Sequence, residues 1–90
     1  MIFFFRARGR VQGVGYRAFV RRQAQAQAIA GWVRNEADGS VAGQASGTAS
    51  SLANFRGILR VGPPWAFVES LDWEPLNGGE SLPTSFEIRS

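Results

Sequence analysis

Cysteine, histidine and lysine are all missing from this sequence of 90 residues. Without cysteine there is no disulfide framework and no thiolate nucleophile, and without histidine there is no imidazole metal ligand. The lack of cysteine fits the cytoplasm, which is the location we expect. No signal peptide opens the sequence, and no apolar run approaches the roughly 20 residues of a membrane span, so we expect no membrane partner.

Positive charge is concentrated in the first part of the chain, and all ten basic residues are arginine. Residues 1–35 hold seven arginines and no acidic residue, whereas residues 36–90 hold three arginines and seven acidic residues. The first part therefore carries +7 and the second −4. Such a basic half would attract an anionic ligand, either a phosphorylated small molecule or a nucleic acid.

The pattern of apolar and turn-forming residues predicts seven elements in one domain over residues 1–90. Strand 2–10 places Phe3, Phe5 and Ala7 on one face. Gly31 is expected to break the first helix, and Thr48 or Ser50 to cap the second, whose inner stripe is Leu52, Phe55 and Leu59. The other predicted elements are a helix over 16–28, strands over 32–36 and 41–47, a hairpin turn over 37–40, a helix to about residue 60, a strand over 65–74 with a bulge between Val68 and Leu71, a polar loop over 76–81, and a strand over 85–89.

This order is β-α-β-β-α-β with a short C-terminal strand added. It predicts an α+β protein with the ferredoxin-like split β-α-β sandwich, in which two helices cover one face of an antiparallel sheet.

The segment Gly9-Arg10-Val11-Gln12-Gly13-Val14-Gly15-Tyr16-Arg17 joins the first strand to the first helix. Its glycines allow positive φ angles, so that backbone N–H groups can line a concave surface at the helix N-terminus, where phosphate binds well. Arg17 can add a bidentate guanidinium to the same anion. A glycine-rich connection of this kind also occurs simply as a tight turn, so the loop alone leaves both interpretations open.

This segment closely resembles the signature loop of the acylphosphatases, and Gly31-Trp32-Val33-Arg34-Asn35 resembles a second segment of that family at the family's spacing. Weaker similarities extend through 38–39, 41–47, 62–64 and 86–89, so the resemblance covers essentially the whole chain. It implies the same ferredoxin-like fold and an enzyme that hydrolyses small acyl phosphates without metal or other cofactor.

The resemblance also implies residue roles. Arg17 would hold the phosphoryl group and Asn35 would orient the attacking water. The phosphate-binding loop would comprise Gln12, Gly13, Val14, Gly15, Tyr16 and Arg17. The side chains of Tyr16 and Trp32 are expected to pack rather than to contact substrate, and Arg6, Arg8, Arg10, Arg21 and Arg22 to form a solvated face.

The residue inventory agrees with that chemistry. The two aspartates, Asp38 and Asp72, form no paired-carboxylate metal site, and guanidinium, amide and backbone N–H groups remain near the loop. Those groups can position a phosphoryl group and stabilise its charge, but they cannot protonate a poor leaving group. An acyl phosphate, whose leaving group is a carboxylate, satisfies this condition.

Two other functions use the same fold. RNA-recognition domains stack bases on aromatic residues of their central strands, but the predicted third strand, 41–47, has no aromatic residue, which argues against a nucleic-acid partner. Non-catalytic anion-binding domains of this type begin some hydrogenase-maturation proteins, which continue into cysteine-rich zinc segments. We expect instead a single-domain monomer that acts on a small acyl phosphate.

Overall fold

The elements follow the predicted order in the computed structural model, which describes residues 1–77 and 82–89. The bounds are β1 (Ile2–Arg10), α1 (Tyr16–Ala26), β2 (Ala30–Asn35), β3 (Val41–Ser46), α2 (Ala49–Val61), β4 (Phe67–Leu76) and β5 (Phe86–Arg89). The strands form a sheet in the order β4-β1-β3-β2-β5. The first four pair antiparallel, and β5 pairs parallel with β2, so the complete sheet is mixed. The predicted ferredoxin-like architecture is confirmed.

Both helices cover one face of the sheet. On β1, Phe5 and Ala7 are fully buried beneath them, because side chains of alternate strand residues point to the same face. The predicted stripe of α2 is also confirmed, with Leu52, Phe55 and Leu59 all buried. The Phe55 ring meets the rings of Phe5 and Phe86 edge-on at centroid distances of 6.0 and 6.1 Å. Burial of each such side chain stabilises the fold by about 1.5–3 kcal/mol.

Helix α1 ends two residues earlier than predicted, at Ala26 rather than Ala28. Ala28 adopts a left-handed φ of 55° and is exposed. The N–H of Ile29 donates to the Ala24 carbonyl at 2.9 Å, and that of Ala28 donates to the Gln25 carbonyl at 3.2 Å. This pair of bonds is the Schellman motif, which terminates a helix. The motif lets Ile29 turn back into the core, where it is buried.

The prediction that Gly31 breaks the helix is wrong, because Gly31 lies inside β2. It pairs with Ala45 on one side and Phe86 on the other. A Cβ atom at this position would collide with the Gln44 carbonyl oxygen. The glycine therefore allows β2 and β3 to approach closely.

Strand β4 contains the predicted bulge. Its register with β1 shifts so that Ser70 pairs with Arg8 and Val68 pairs with Gly9, which leaves Glu69 without a paired residue. Val68 and Leu71 can therefore both pack on the helix side, although they are three residues apart. The strand begins at Phe67 rather than at residue 65, because residues 63–66 form a turn in which the Ala66 N–H donates to the Pro63 carbonyl at 3.1 Å.

The remaining boundaries differ little from expectation. Thr48, and not Ser50, caps α2, with its Oγ1 accepting from the Ser51 N–H at 3.1 Å. Residues 37–40 form the turn between β2 and β3 as predicted. Of the polar loop predicted over 76–81, residues 78–81 lie outside the described residues, and Leu76 belongs to β4. Within the described residues, neither helix is long and apolar enough to cross a membrane.

Candidate active site

The glycine-rich loop opens directly onto the first turn of α1. Gly15 occupies the N-cap position with a left-handed φ of 79°, and no side chain caps the helix. The first turn of α1 also contains no acidic residue. Free N–H groups at a helix N-terminus carry partial positive charge and favour an anion. The loop thus has the backbone geometry of an anion site.

A small cleft of about 170 Å³ marks this site. It is lined by Val11, Gly13, Gly15, Tyr16, Arg17, Ala18 and Ile88. Four of the six predicted phosphate-loop residues therefore surround one cleft. Val14 contributes its side chain to the edge of the hydrophobic core, and Gln12 has a different role, described below.

The Arg17 guanidinium is directed across the cleft towards β5. Its Nη1 donates to the carbonyl oxygen of Arg89 at 3.4 Å. Among the described residues Arg17 forms no salt bridge. Its positive charge is therefore not neutralised by a carboxylate of those residues, and the remaining guanidinium N–H groups can bind an anion.

Asn35 is the last residue of β2 and lies on the helix side of the sheet, as does Val33. Its neighbour Arg34 pairs with Arg89, the residue whose carbonyl holds Arg17. Asn35 ends β2, and the Arg17 guanidinium is bonded to the last residue of the neighbouring strand β5. Both groups therefore lie at the same end of the sheet. The Asn35 Oδ1 is buried and accepts no hydrogen bond from any residue in 1–77 or 82–89. Since buried acceptors are nearly always satisfied, this oxygen is suited to a bound water or ligand.

Gln12 connects the loop to the turn that follows Asn35. Its Nε2 donates to the carbonyl oxygens of Glu36 at 2.8 Å and Ser40 at 2.9 Å. A carboxamide has two N–H donors, and both are used here. Gln12 can therefore offer a phosphate only its backbone N–H, while its side chain fixes the loop against the β2–β3 turn. Sequence reasoning missed this connection.

Tyr16 packs inside the protein, as predicted. Its hydroxyl donates to the Leu59 carbonyl at 2.8 Å, and burial raises the pKa of this hydroxyl far above its usual range. Trp32 is also buried, with the guanidinium carbons of Arg34 and Arg89 at 5.0 and 5.1 Å from its ring centre. Neither aromatic ring is available to a substrate in the cleft.

The arginines of β1 are less free than the charge pattern predicted. Arg6 pairs with Glu36 at 3.3 Å, and Arg8 lies 3.5 Å from both Asp38 and Asp72. Among the described residues, the arginines near the loop that form no salt bridge are Arg10, Arg17, Arg21 and Arg22. The positive electrostatic potential that attracts an anion therefore arises from the loop and α1 more than from β1.

The Asp38 carboxylate is held by the turn itself. Ser40 donates to Asp38 Oδ1 twice, from its hydroxyl at 2.6 Å and from its backbone N–H at 2.9 Å. These two bonds, the hydroxyl bond first, lower the pKa of Asp38. Burial opposes the shift, and Arg6 and Arg8 contribute smaller decreases. The turn that Gln12 contacts is thereby ordered by its own side chains.

Known proteins share both the sequence and the fold of this chain. The acylphosphatase family model matches residues 3–88. The chain belongs to the acylphosphatase family. An acylphosphatase from Cupriavidus pinatubonensis is 51% identical over 83 residues, which cover 92% of this chain and 89% of that protein. The family assignment confirms the resemblance seen in the sequence, and with it the prediction of an enzyme of the hydrolase class.

Solved acylphosphatase structures have the same fold as this chain. The crystal structure of acylphosphatase from Bacillus subtilis superimposes with a TM-score of 0.92 at 33% identity, covering 100% of both chains. An acylphosphatase from Coxiella burnetii gives a TM-score of 0.89 at 32% identity, covering 98% of this chain and 90% of that one. The acylphosphatase fold therefore extends over the whole described chain.

Proposed function

We propose that this protein hydrolyses the carboxyl–phosphate anhydride bond of acyl phosphates, giving a carboxylate and inorganic phosphate. The observation that carries the proposal is the uncapped N-terminus of α1 with the Arg17 guanidinium beside it, free of any carboxylate partner among the described residues. Membership of the acylphosphatase family supports the choice of substrate class.

Arg17 is proposed to bind the transferring phosphoryl group. A planar guanidinium can donate two parallel hydrogen bonds to phosphate oxygens, and the backbone N–H groups of residues 12–17 can surround the others. The bond from Arg17 to the Arg89 carbonyl would orient the guanidinium before substrate arrives. Such preorganised donors stabilise charge that shifts during phosphoryl transfer.

Asn35 is proposed to orient the attacking water. Its buried Oδ1, which accepts no bond from the described residues, would accept one from that water. The water oxygen then attacks phosphorus, the bond between phosphorus and the carboxylate oxygen breaks, and its electron pair leaves with the carboxylate. A phosphoryl oxygen of the substrate takes the proton of the water. Because a carboxylate leaves readily, the step needs no general acid, and the proposal includes no metal or other cofactor.

An isotope experiment tests this chemistry. Benzoyl phosphate is hydrolysed in ¹⁸O-labelled water, with and without EDTA, and the label is located in the products by mass spectrometry. We expect equal rates in both buffers and the label in inorganic phosphate. Label in benzoate would mean attack at the carbonyl carbon and would contradict the proposal. Loss of activity in EDTA, restored by a divalent metal, would contradict its metal-free part.

The same experiment addresses the non-catalytic alternative. A protein that binds inorganic phosphate but leaves benzoyl phosphate intact would be an anion-binding module on this fold. The monomeric state and the cytoplasmic location expected from the sequence remain predictions.

A further inference from the structure

Two large aromatic side chains are exposed next to the glycine-rich loop. Trp65 is 55% exposed and Phe67 is 62% exposed, although aromatic surface is normally buried. Phe67 is the first residue of β4 and Trp65 lies just before it. Strands β4 and β5 form opposite edges of the sheet. Nothing in the packing of the fold requires the two aromatic side chains, because neither belongs to the hydrophobic core.

A hydrogen-bonded turn places the backbone of Trp65 beside the loop. Trp65 occupies the third position of the turn over residues 63–66, which closes with the hydrogen bond from the Ala66 N–H to the Pro63 carbonyl. Proline is at the second position of this turn, where its fixed φ stabilises the turn. Pro63 itself is buried. The backbone that carries the indole ring is thus ordered before a ligand binds, which lowers the entropic cost of binding.

The indole edge lies at the rim of the cleft that contains Arg17. Its Nε1 is 3.5 Å from the position that a Cβ atom on Gly15 would occupy, and Gly15 lines that cleft. On the other side, Trp65 and Phe67 share a second cleft of about 380 Å³ with Arg10, Pro64 and Ala66. The first cleft has the backbone of an anion site. The second adjoins it through Trp65 and is lined by Arg10 and four apolar residues, two of which are aromatic.

We propose that Trp65, with Phe67 beside it, binds the acyl group of the substrate and makes the enzyme prefer acyl phosphates that carry an aromatic ring. This inference rests on the proposed function, since it assumes that the phosphoryl group occupies the cleft lined by Gly15 and Arg17. A group attached to that phosphoryl through the anhydride oxygen must extend over the loop rim. An aromatic acyl group directed to the Trp65 side can pack on the indole, whereas an acetyl group is too short to do so.

A comparison of two substrates tests the inference. Values of kcat/KM are measured for benzoyl phosphate and acetyl phosphate with the wild type, Trp65→Ala and Trp65→Phe. An aromatic contact of this kind predicts that Trp65→Ala lowers kcat/KM for benzoyl phosphate about 3- to 10-fold, while acetyl phosphate changes less than about twofold. Trp65→Phe keeps a ring at this position and should retain most of the preference for benzoyl phosphate.

Val61→Ala is the matched control, because Val61 is 78% exposed at the end of α2 and lines neither cleft. It should leave the ratio of the two kcat/KM values unchanged. Inhibition by inorganic phosphate should also be unchanged in Trp65→Ala, which shows that the loop is intact.

The outcomes separate the two proposals. If the wild type hydrolyses both substrates and Trp65→Ala leaves the ratio unchanged, or lowers both values equally, then Trp65 does not select the acyl group and the inference is wrong. If the wild type hydrolyses neither substrate, the proposed function is wrong and the inference fails with it.

Discussion

The carboxamide nitrogen of Gln12 donates to the carbonyl oxygen of Glu36 at 2.8 Å, and so ties the loop after β1 to the residue that follows Asn35. The same nitrogen donates to Ser40 at 2.9 Å. One side chain thereby fixes the distance between the proposed phosphate loop and the proposed water-orienting residue. The two parts of the site come from segments about twenty residues apart in the sequence, and this pair of bonds links them directly.

Replacement of Gln12 by alanine should therefore affect turnover more than binding. Without the two bonds, the loop and Asn35 can shift relative to each other, and a small misplacement lowers kcat by about 10-fold or more. The KM should change less, because the backbone of the loop remains. Thr48→Ala serves as control: it removes the α2 cap and costs about 1 kcal/mol of stability far from the site. If it lowers kcat as much as Gln12→Ala does, the effect reflects stability and not positioning.

Ala28→Gly should stabilise the protein. Ala28 has a φ of 55° at the end of α1, a conformation that costs an L-residue with a Cβ atom about 1 kcal/mol and costs glycine almost nothing. Glycine loses more chain entropy on folding, which offsets part of this benefit. We therefore expect the free energy of unfolding to rise by about 0.5 kcal/mol. Ala26→Gly, at the last residue of the same helix, should instead destabilise the protein, by less than the roughly 1 kcal/mol that glycine costs in a helix interior. Urea denaturation of the two variants gives both values, and a lower midpoint for Ala28→Gly would contradict the left-handed assignment.

The turn over residues 37–40 should contribute stability that depends on pH. The Ser40 hydrogen bonds lower the pKa of Asp38 in the folded protein, so the contribution is present above the unfolded pKa and is lost as pH falls through the folded pKa. Ser40→Ala removes the hydroxyl bond and should raise the pKa of Asp38. The stability difference between wild type and Ser40→Ala should be largest near neutral pH and shrink below about pH 4. An NMR titration that finds the same pKa for Asp38 in both proteins would disprove this.

Arg21 should attract substrate at low salt. It lies one helical turn after Arg17, is exposed, and forms no salt bridge among the described residues. Arg21→Gln should lower kcat/KM about twofold at low ionic strength, with the difference vanishing near 1 M salt, where the Debye length is about 3 Å. Arg56→Gln removes the same charge beside Met1 and Phe3, away from the loop, and should have less effect. Equal effects of both variants would show that only net charge matters.

The sequence predicted those features that depend on local patterns. The alternation in β1, a cap at Thr48 or Ser50 and the stripe of Leu52, Phe55 and Leu59 are all properties of short segments. The bulge near Glu69 was also predictable, because Val68 and Leu71 can share a face only if the strand is interrupted.

The features that it did not predict depend on partners distant in the chain or on unfavoured residues. Arg6 and Arg8 pair with Glu36 and Asp72, which are 30 and 64 residues away, so the charge pattern alone overstated the free positive charge of β1. The end of α1 was misplaced because its left-handed residue is alanine, where glycine would have given a signal. The positions of Gln12 and Trp65 beside the loop follow only from the packed sheet and turns.

The kinetics of Arg17→Ala and Asn35→Ala test the central claim most directly. With benzoyl phosphate as substrate, kcat and the inhibition constant of inorganic phosphate are measured for both variants and the wild type in one buffer. Arg17→Ala should lower kcat and weaken phosphate inhibition together, by about 10-fold or more, because a charged hydrogen-bonding group to the anion is lost. Asn35→Ala should lower kcat by about 10²- to 10³-fold while phosphate inhibition stays nearly unchanged, because the loop remains. A near-normal kcat in Asn35→Ala, or loss of phosphate binding equal to that of Arg17→Ala, would contradict the assignment of the two roles.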